Sequence, residues 1–304
     1  MHYEYRYGRL LIDTEKDQEG MSLSDFLRSF HISPRKRYEL FQNHDITLNR
    51  KDASGSDILS DKDRITIQIH STPLDYTPSS RECTVVYEDD LIYVAHKEPG
   101  LIVHDPEEEC LASQAAAFQI AHGIEQPVRY IHRLDKETTG LVLFVKIPLL
   151  QGWYDAMMEE KKIARRYLAV TGGKGHKGQK FTYNQPIGKD RHASNVYRFS
   201  PTGKTALTRA VILDRKKDYL LFRCDLETGR THQIRVHLSG NRHPIINDPI
   251  YGVASTEFKE MCLWADTMSV PNPFTEEILT VKDLPNPDFD RLNTEKDAKC
   301  IFSF

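Results

Sequence analysis

Between His132 and Lys146 the chain reads His132-Arg133-Leu134-Asp135-Lys136-Glu137-Thr138-Thr139-Gly140, then Leu141-Val142-Leu143-Phe144-Val145-Lys146. The second half is a short apolar run rich in β-formers and bounded by a turn signal, which predicts a strand buried inside a sheet. The first half cannot be core. Five of its nine side chains are ionisable (His132, Arg133, Asp135, Lys136, Glu137), two more are threonines, and Gly140 permits a turn that other residues resist. A polar loop feeding a rigid strand is a place where a reactive group can be held in fixed geometry.

The 304 residues are 39% hydrophobic and 28% charged, which is the composition of a soluble globular protein with room for one large or two modest domains. No apolar run approaches the roughly 18 residues that span a bilayer, and the opening MHYEYRYGRL has no signal-peptide core, so we expect a cytoplasmic protein. The five cysteines are odd in number, widely spaced and free of C-x-x-C, which indicates neither a disulfide framework nor a zinc site. A net charge of −3 denies the chain the domain-wide basicity usual in nucleic-acid binders. Basic patches remain at Arg35-Lys36-Arg37, Lys161-Lys162 with Arg165-Arg166, and Gly172 to Lys180.

Residues 1–71 read as a separate module, 72–82 as a Pro-bearing linker and 83–304 as the main domain. Leu23, Phe26, Leu27 and Phe30 share a helical face, and Ser33-Pro34 supplies an N-cap and first-turn proline for a second helix. Asp45–Asn49 and Arg64–Ile69 follow as strands. Helix, helix, strand, strand, with basic residues opening the second helix, is similar to an S4-type RNA-binding domain.

Farther on, Thr84–His104 predicts two strands around an acidic turn and a Pro-Gly corner, Leu111–Ala121 a helix, and Leu149–Lys162 an amphipathic helix. Ile163–Val170 reads as a strand with Arg165, Tyr167 and Ala169 on one face. In Glu227-Thr228-Gly229-Arg230-Thr231-His232-Gln233-Ile234-Arg235, Gly229 makes a turn and Thr231 is placed to cap a short helix. His232 and His237, five residues apart, do not share a helical face, and no acidic or cysteine cluster completes a metal site. The charged, proline-bearing tail from Leu284 predicts a surface-wrapping or frayed end.

The run HRLDKETTGLVLFVK resembles the defining motif of the RluA-type family of RNA pseudouridine synthases, in which the aspartate after Arg-Leu is catalytic; here that is Asp135. The resemblance extends over about residues 85–285: a Lys97-Glu98-Pro99-Gly100 corner where the family has Lys-Pro-x-Gly, a basic-x-Tyr element at Arg165 to Tyr167, and Pro186-Ile187-Gly188. Gly203-Lys204-Thr205-Ala206-Leu207-Thr208, the Gln-Ile-Arg element ending at Arg235, and His243 to Gly252 continue it. Trp264 departs from it, standing where the family more often has histidine.

The resemblance implies an α+β catalytic domain with a mixed, mostly antiparallel sheet. It implies isomerisation of a uridine in ribosomal or transfer RNA, with Asp135, Tyr167 and Arg235 catalytic and Arg133, His132, Arg230, Thr139 and Arg165 on the substrate. Arg235, with Arg230 second, is the candidate partner of Asp135, because a permanently charged planar fork keeps a carboxylate ionised and oriented. We expect no cofactor or metal, no membrane partner and a monomer. Two rivals stand beside this reading. One is a ribosome-associated RNA binder that keeps the fold without catalysis. The other is a nucleobase hydrolase or deaminase, and the absent H-x-E with P-C-x-x-C signature speaks against a zinc deaminase.

Overall fold

The strand expected after the polar loop lies at the heart of the molecule. In the computed structural model, which describes residues 1–283, Thr139–Val145 is buried at every position and sits inside a nine-stranded sheet. The tail expectation from Leu284 onwards lies outside the described residues.

The chain opens with a hairpin, β1 (His2–Arg6) and β2 (Arg9–Asp13), followed by α1 (Leu23–Ser29), α2 (Pro34–Gln42), β3 (Ile46–Leu48), β4 (Lys51–Asp52) and β5 (Arg64–Gln68). Its strands form an antiparallel sheet in the order β1-β2-β5-β3-β4. Ser22 and Ser33 cap the two helices by accepting from the backbone N–H of Asp25 and Lys36, as side-chain oxygens at N-caps do. The basic opening of α2 is partly spent internally: Arg35 and Lys36 pair with Glu39, and Arg37 donates to the Ile32 carbonyl.

The remainder supplies β6 (Thr84–Glu88), β7 (Ile92–Lys97), α3 (Leu111–Ala121), β8 (Thr139–Val145), α4 (Gln151–Glu159), β9 (Ala164–Thr171) and β10 (Lys180–Tyr183). Then come β11 (Ile187–Lys189), β12 (Tyr197–Phe199), β13 (Thr208–Lys216), β14 (Tyr219–Leu226), α5 (Gln233–Gly240), β15 (Leu263–Pro271) and β16 (Ile278–Lys282). The large sheet runs β10-β13-β14-β9-β15-β8-β7-β6 with β16 beside β15, while β11 and β12 make a separate ribbon. The sheet is mixed and mostly antiparallel, its parallel step being β8 against β15. That step passes through Gly140 opposite Ala265, where φ is +116° and a Cβ would stand 2.3 Å from the Ala265 carbonyl oxygen. Only glycine fits there, which explains the residue that separates the polar loop from the apolar run.

Alternate residues of β8 serve opposite layers. Val142 and Phe144, with Tyr93 and Ala95 of β7, pack under Leu111, Ala115 and Phe118 of α3. Leu141, Leu143 and Val145, with Ile92 and Val94, join the layer that holds Leu10, Phe26, Leu27 and Phe30 of the amino-terminal elements. A strand covered on both faces is apolar throughout. The amino-terminal elements are tied on elsewhere too: the Met1 amino group donates to the Phe274 carbonyl at 2.9 Å, and Tyr3 and Phe30 pack on the Phe274 ring. Residues 72–80 run along α3 and the segment between α3 and β8, with Thr72 N–H on the Glu125 carbonyl, Ser79 N–H on the Ser113 carbonyl, and the Asp75 carboxylate accepting from Val128 N–H and pairing with Arg129. Among the described residues no helix is long and apolar enough to cross a membrane.

Candidate active site

A cleft of about 870 Å³ opens where the loop before β8, the start of β9 and the turn between β14 and α5 converge. Asp135 stands in it, its side chain one-quarter exposed. The loop that carries it is fastened from below. The carbonyl of Lys136 accepts from Lys97 Nζ and from Gly100 N–H, both at 2.9 Å, and Lys97 also donates to the carbonyls of Glu98 (2.9 Å) and Leu101 (2.6 Å). Lys97 is fully buried, and burial pushes its ammonium down to about 8 against the pull of Glu137 and Asp135. The Pro-Gly corner and the catalytic-loop candidate are thus one hydrogen-bonded unit.

Arg235, on the first turn of α5, faces Asp135. Its Nη1 donates to Asp135 Oδ2 at 3.1 Å, while Nε and Nη2 grip both oxygens of Asp248 at 2.8 Å each. Asp248 is completely buried, and its Oδ1 also accepts the backbone N–H groups of Ile250 (2.9 Å) and Tyr251 (3.1 Å). Burial opposes charge on both partners, yet the pair overcomes it: the Arg235 guanidinium is held above its ordinary range and the Asp248 carboxyl below its own. Asp248 therefore fixes Arg235, and Arg235 presents one remaining edge to Asp135. Such a bidentate fork leaves little rotational freedom.

Thr231 does not cap α5. Its N-cap is His232, in the left-handed region at φ +57°, because Gln233 is pinned. The Gln233 amide oxygen accepts from Thr228 Oγ1 and Arg230 N–H, and its Nε2 donates to the Leu207 carbonyl and Thr208 Oγ1. His232 Nε2 lies 3.9 Å from Asp135 Oδ2, and Nδ1 lies 2.9 Å from the Tyr251 hydroxyl.

Tyr167 also lines the cleft and is 4% exposed, its hydroxyl raised by burial while Arg165 pulls the other way. Arg165 sits beside Gly229, where a Cβ would come within 3.3 Å of its guanidinium, so that glycine keeps room for the arginine. Arg133 and Arg230 are exposed at the cleft, Arg230 with Nε on the Thr205 carbonyl. His132 lines the cleft from beneath. Its Nε2 accepts from Leu143 N–H at 3.4 Å, and burial, reinforced by Arg165, pushes it down to about 3, so the ring is neutral. Thr139 is the one expected residue that the structure does not bring to the cleft: it pairs with Trp264 inside the sheet. Among the described residues no group of His, Cys, Asp and Glu has the makings of a metal site.

Asp248, Tyr251 and Lys97 were not among the residues expected here. Asp248 and Tyr251 belong to a stretch legible as patterned but silent about roles. The local signal was an aspartate followed by proline, a turn former whose carboxylate commonly takes backbone N–H groups two and three residues on. Nothing in the sequence near Lys97 announced that it would be buried.

A family model described as RNA pseudouridylate synthase matches residues 91–240. An uncharacterized RNA pseudouridine synthase of Bacillus subtilis, YhcT, is 31% identical over 287 residues, covering 92% of this chain and 94% of that protein. Ribosomal large subunit pseudouridine synthase D of Haemophilus influenzae is 34% identical over 232 residues, covering 70% of each chain. The solved structure of Human RNA Pseudouridylate Synthase Domain Containing 1 shares the fold with a TM-score of 0.58 at 23% identity, covering 69% of this chain and 85% of that one. This chain belongs to the RNA pseudouridylate synthase family and is an isomerase of that type.

Proposed function

We propose that the protein isomerises specific uridines to pseudouridine in ribosomal or transfer RNA, with Asp135 as the essential carboxylate. The carrying observation is the chain of contacts from buried Asp248 through Arg235 to Asp135, which delivers one oriented, partly exposed carboxylate to a cleft wide enough for a nucleotide. Ribosomal RNA is favoured by relatives named as large subunit pseudouridine synthase D.

The reaction breaks the bond from uracil N1 to ribose C1′, turns the base and joins C5 to C1′; N1 gains a proton and C5 loses one to water. A base inside folded RNA is out of reach, so the nucleotide is extruded, and exposed Arg133 beside Asp135 fills the space it leaves. Tyr167 stacks on the uracil. Arg235 holds the Asp135 carboxylate in a fixed orientation toward the base. Arg165 and Arg230 meet the backbone phosphates, a role suited to cleft-lining guanidinium groups. Residues 1–71 act as an S4-like RNA-binding module, with the basic start of α2 and exposed Tyr38 toward RNA.

The test is chemical mapping of pseudouridine, by carbodiimide adduct and primer extension, in unmodified large-subunit ribosomal RNA and transfer RNA transcripts incubated with purified protein. A discrete stop that Asp135→Asn does not produce supports the proposal. No stop in either RNA class, with RNA bound, would favour the non-catalytic binder.

A further inference from the structure

We propose that His232 is a further catalytic residue, whose Nε2–H donates a hydrogen bond to a carbonyl oxygen of the departing uracil. This rests on the pseudouridine synthase reading of the cleft. Three observations converge on that nitrogen.

The first is the tautomer. The Tyr251 hydroxyl accepts the backbone N–H of Tyr197 at 2.7 Å, and among the described residues the one acceptor within reach of its own proton is His232 Nδ1 at 2.9 Å. With Nδ1 accepting, a neutral imidazole carries its proton on Nε2. The ring is kept neutral by burial, a preference that Asp135 opposes and Arg235 reinforces.

The second is that this donor is unspent. Nε2 is 3.9 Å from Asp135, too far for a hydrogen bond, and makes none among the described residues. It lines the cleft, so a group bound against the carboxylate lies beside it.

The third is strain. His232 occupies the left-handed region, where glycine or asparagine would sit with less cost. Pinned Gln233 next to it and anchored Arg235 three residues on hold the start of the helix that follows, and the His232 side chain lines the cleft.

The chemistry needs such a donor. As N1–C1′ breaks, the bonding electron pair goes to N1 and spreads over the two carbonyl oxygens. His232 keeps its proton throughout and stabilises that charge. When C5 bonds to C1′, the C5 proton leaves to water and N1 takes one up.

The experiment is single-turnover tritium release from bulk RNA tritiated at uracil C5, taken from cells lacking this gene, with RNA affinity by filter binding and a melting curve as the folding check. His232→Asn is expected to lower turnover on the order of 100-fold, the usual cost of one preorganised donor, with the RNA Kd within about twofold. His232→Gln, whose amide N–H can reach the same place, should recover about tenfold of that loss. Tyr251→Phe should lose about tenfold, and joining it to His232→Asn should add nothing, as expected of residues acting as one unit. Turnover of His232→Asn within threefold of wild type, or a loss confined to RNA affinity or melting, would overturn the proposal. No release by wild type would instead remove the reading beneath it, and the proposal with it.

Discussion

Asp248→Asn is the most informative perturbation of the buried scaffold. Asparagine keeps one carbonyl oxygen for the N–H groups of Ile250 and Tyr251, but sets an amide N–H₂ against Arg235 Nε, where a carboxylate oxygen now accepts at 2.8 Å. Arg235 is 3% exposed and Asp248 fully buried, so water cannot take the lost partner's place. Breaking a buried pair from one side costs about 3–5 kcal/mol, and the remaining contact to Asp135 places the expectation near 3 kcal/mol. At about 2–4 °C per kcal/mol for chains somewhat smaller than this one, melting should fall by at most roughly 6–12 °C. Turnover should fall by at least about tenfold at unchanged RNA affinity, since Arg235 loses the grip that aims it. The Asp248 carboxyl is held below its ordinary range in the fold, so its contribution is complete above about pH 4 and lost only as pH falls through the folded value. The difference between variant and wild type should therefore be flat from about pH 5 to 9. The half-exposed pair of Arg64 with Asp13 supplies the control: Asp13→Asn should cost under about 1 kcal/mol. Urea titrations of both variants, with tritium release, check the reasoning. A loss under about 0.5 kcal/mol with full turnover for Asp248→Asn would refute it.

Gly140→Ala should fail to accumulate as folded protein, because its Cβ would stand 2.3 Å from the Ala265 carbonyl oxygen at φ +116°; soluble yield and circular dichroism decide it. His132 titrates at about 3 in the fold against an ordinary value near 6.5, so its neutral form stabilises fully above about pH 6.5. Each pH unit below that should cost up to about 1.4 kcal/mol until about pH 3, and His132→Gln should flatten this acid limb in urea melts. Removing residues 1–71 should expose Ile92, Val94, Leu141, Leu143 and Val145 of the central strands, and the shortened chain should aggregate, as light scattering would show. Arg133→Ala should lower turnover on structured RNA more than on a short single-stranded substrate, in which no base need be extruded.

The central strand, the α3 helix, the cap at Ser33 with first-turn Pro34, and the strand bearing Tyr167 were all legible, because each is governed by local periodicity, intrinsic propensity or local capping. So was the pairing of Asp135 with Arg235, through the resemblance. Asp248 was not, since the partner of Arg235 arrives from 13 residues downstream and only the fold turns its carboxylate inward. The Thr231 cap failed for a related reason. Contacts of Gln233 with Leu207 and Thr208, more than twenty residues upstream, decide how the helix begins and override the local preference of threonine. Thr139 looked like part of the polar loop, but the strand begins with it, and pairing to Trp264 draws it into the sheet. The hairpin β1–β2 carried no reading in advance; its partner β5 lies more than fifty residues away.

Tritium release from C5-labelled RNA, comparing wild type with Asp135→Asn, addresses the central claim most directly. Release by wild type and none by the variant, at equal RNA binding, is the predicted result. Release by both would contradict the assignment of Asp135 as the essential carboxylate.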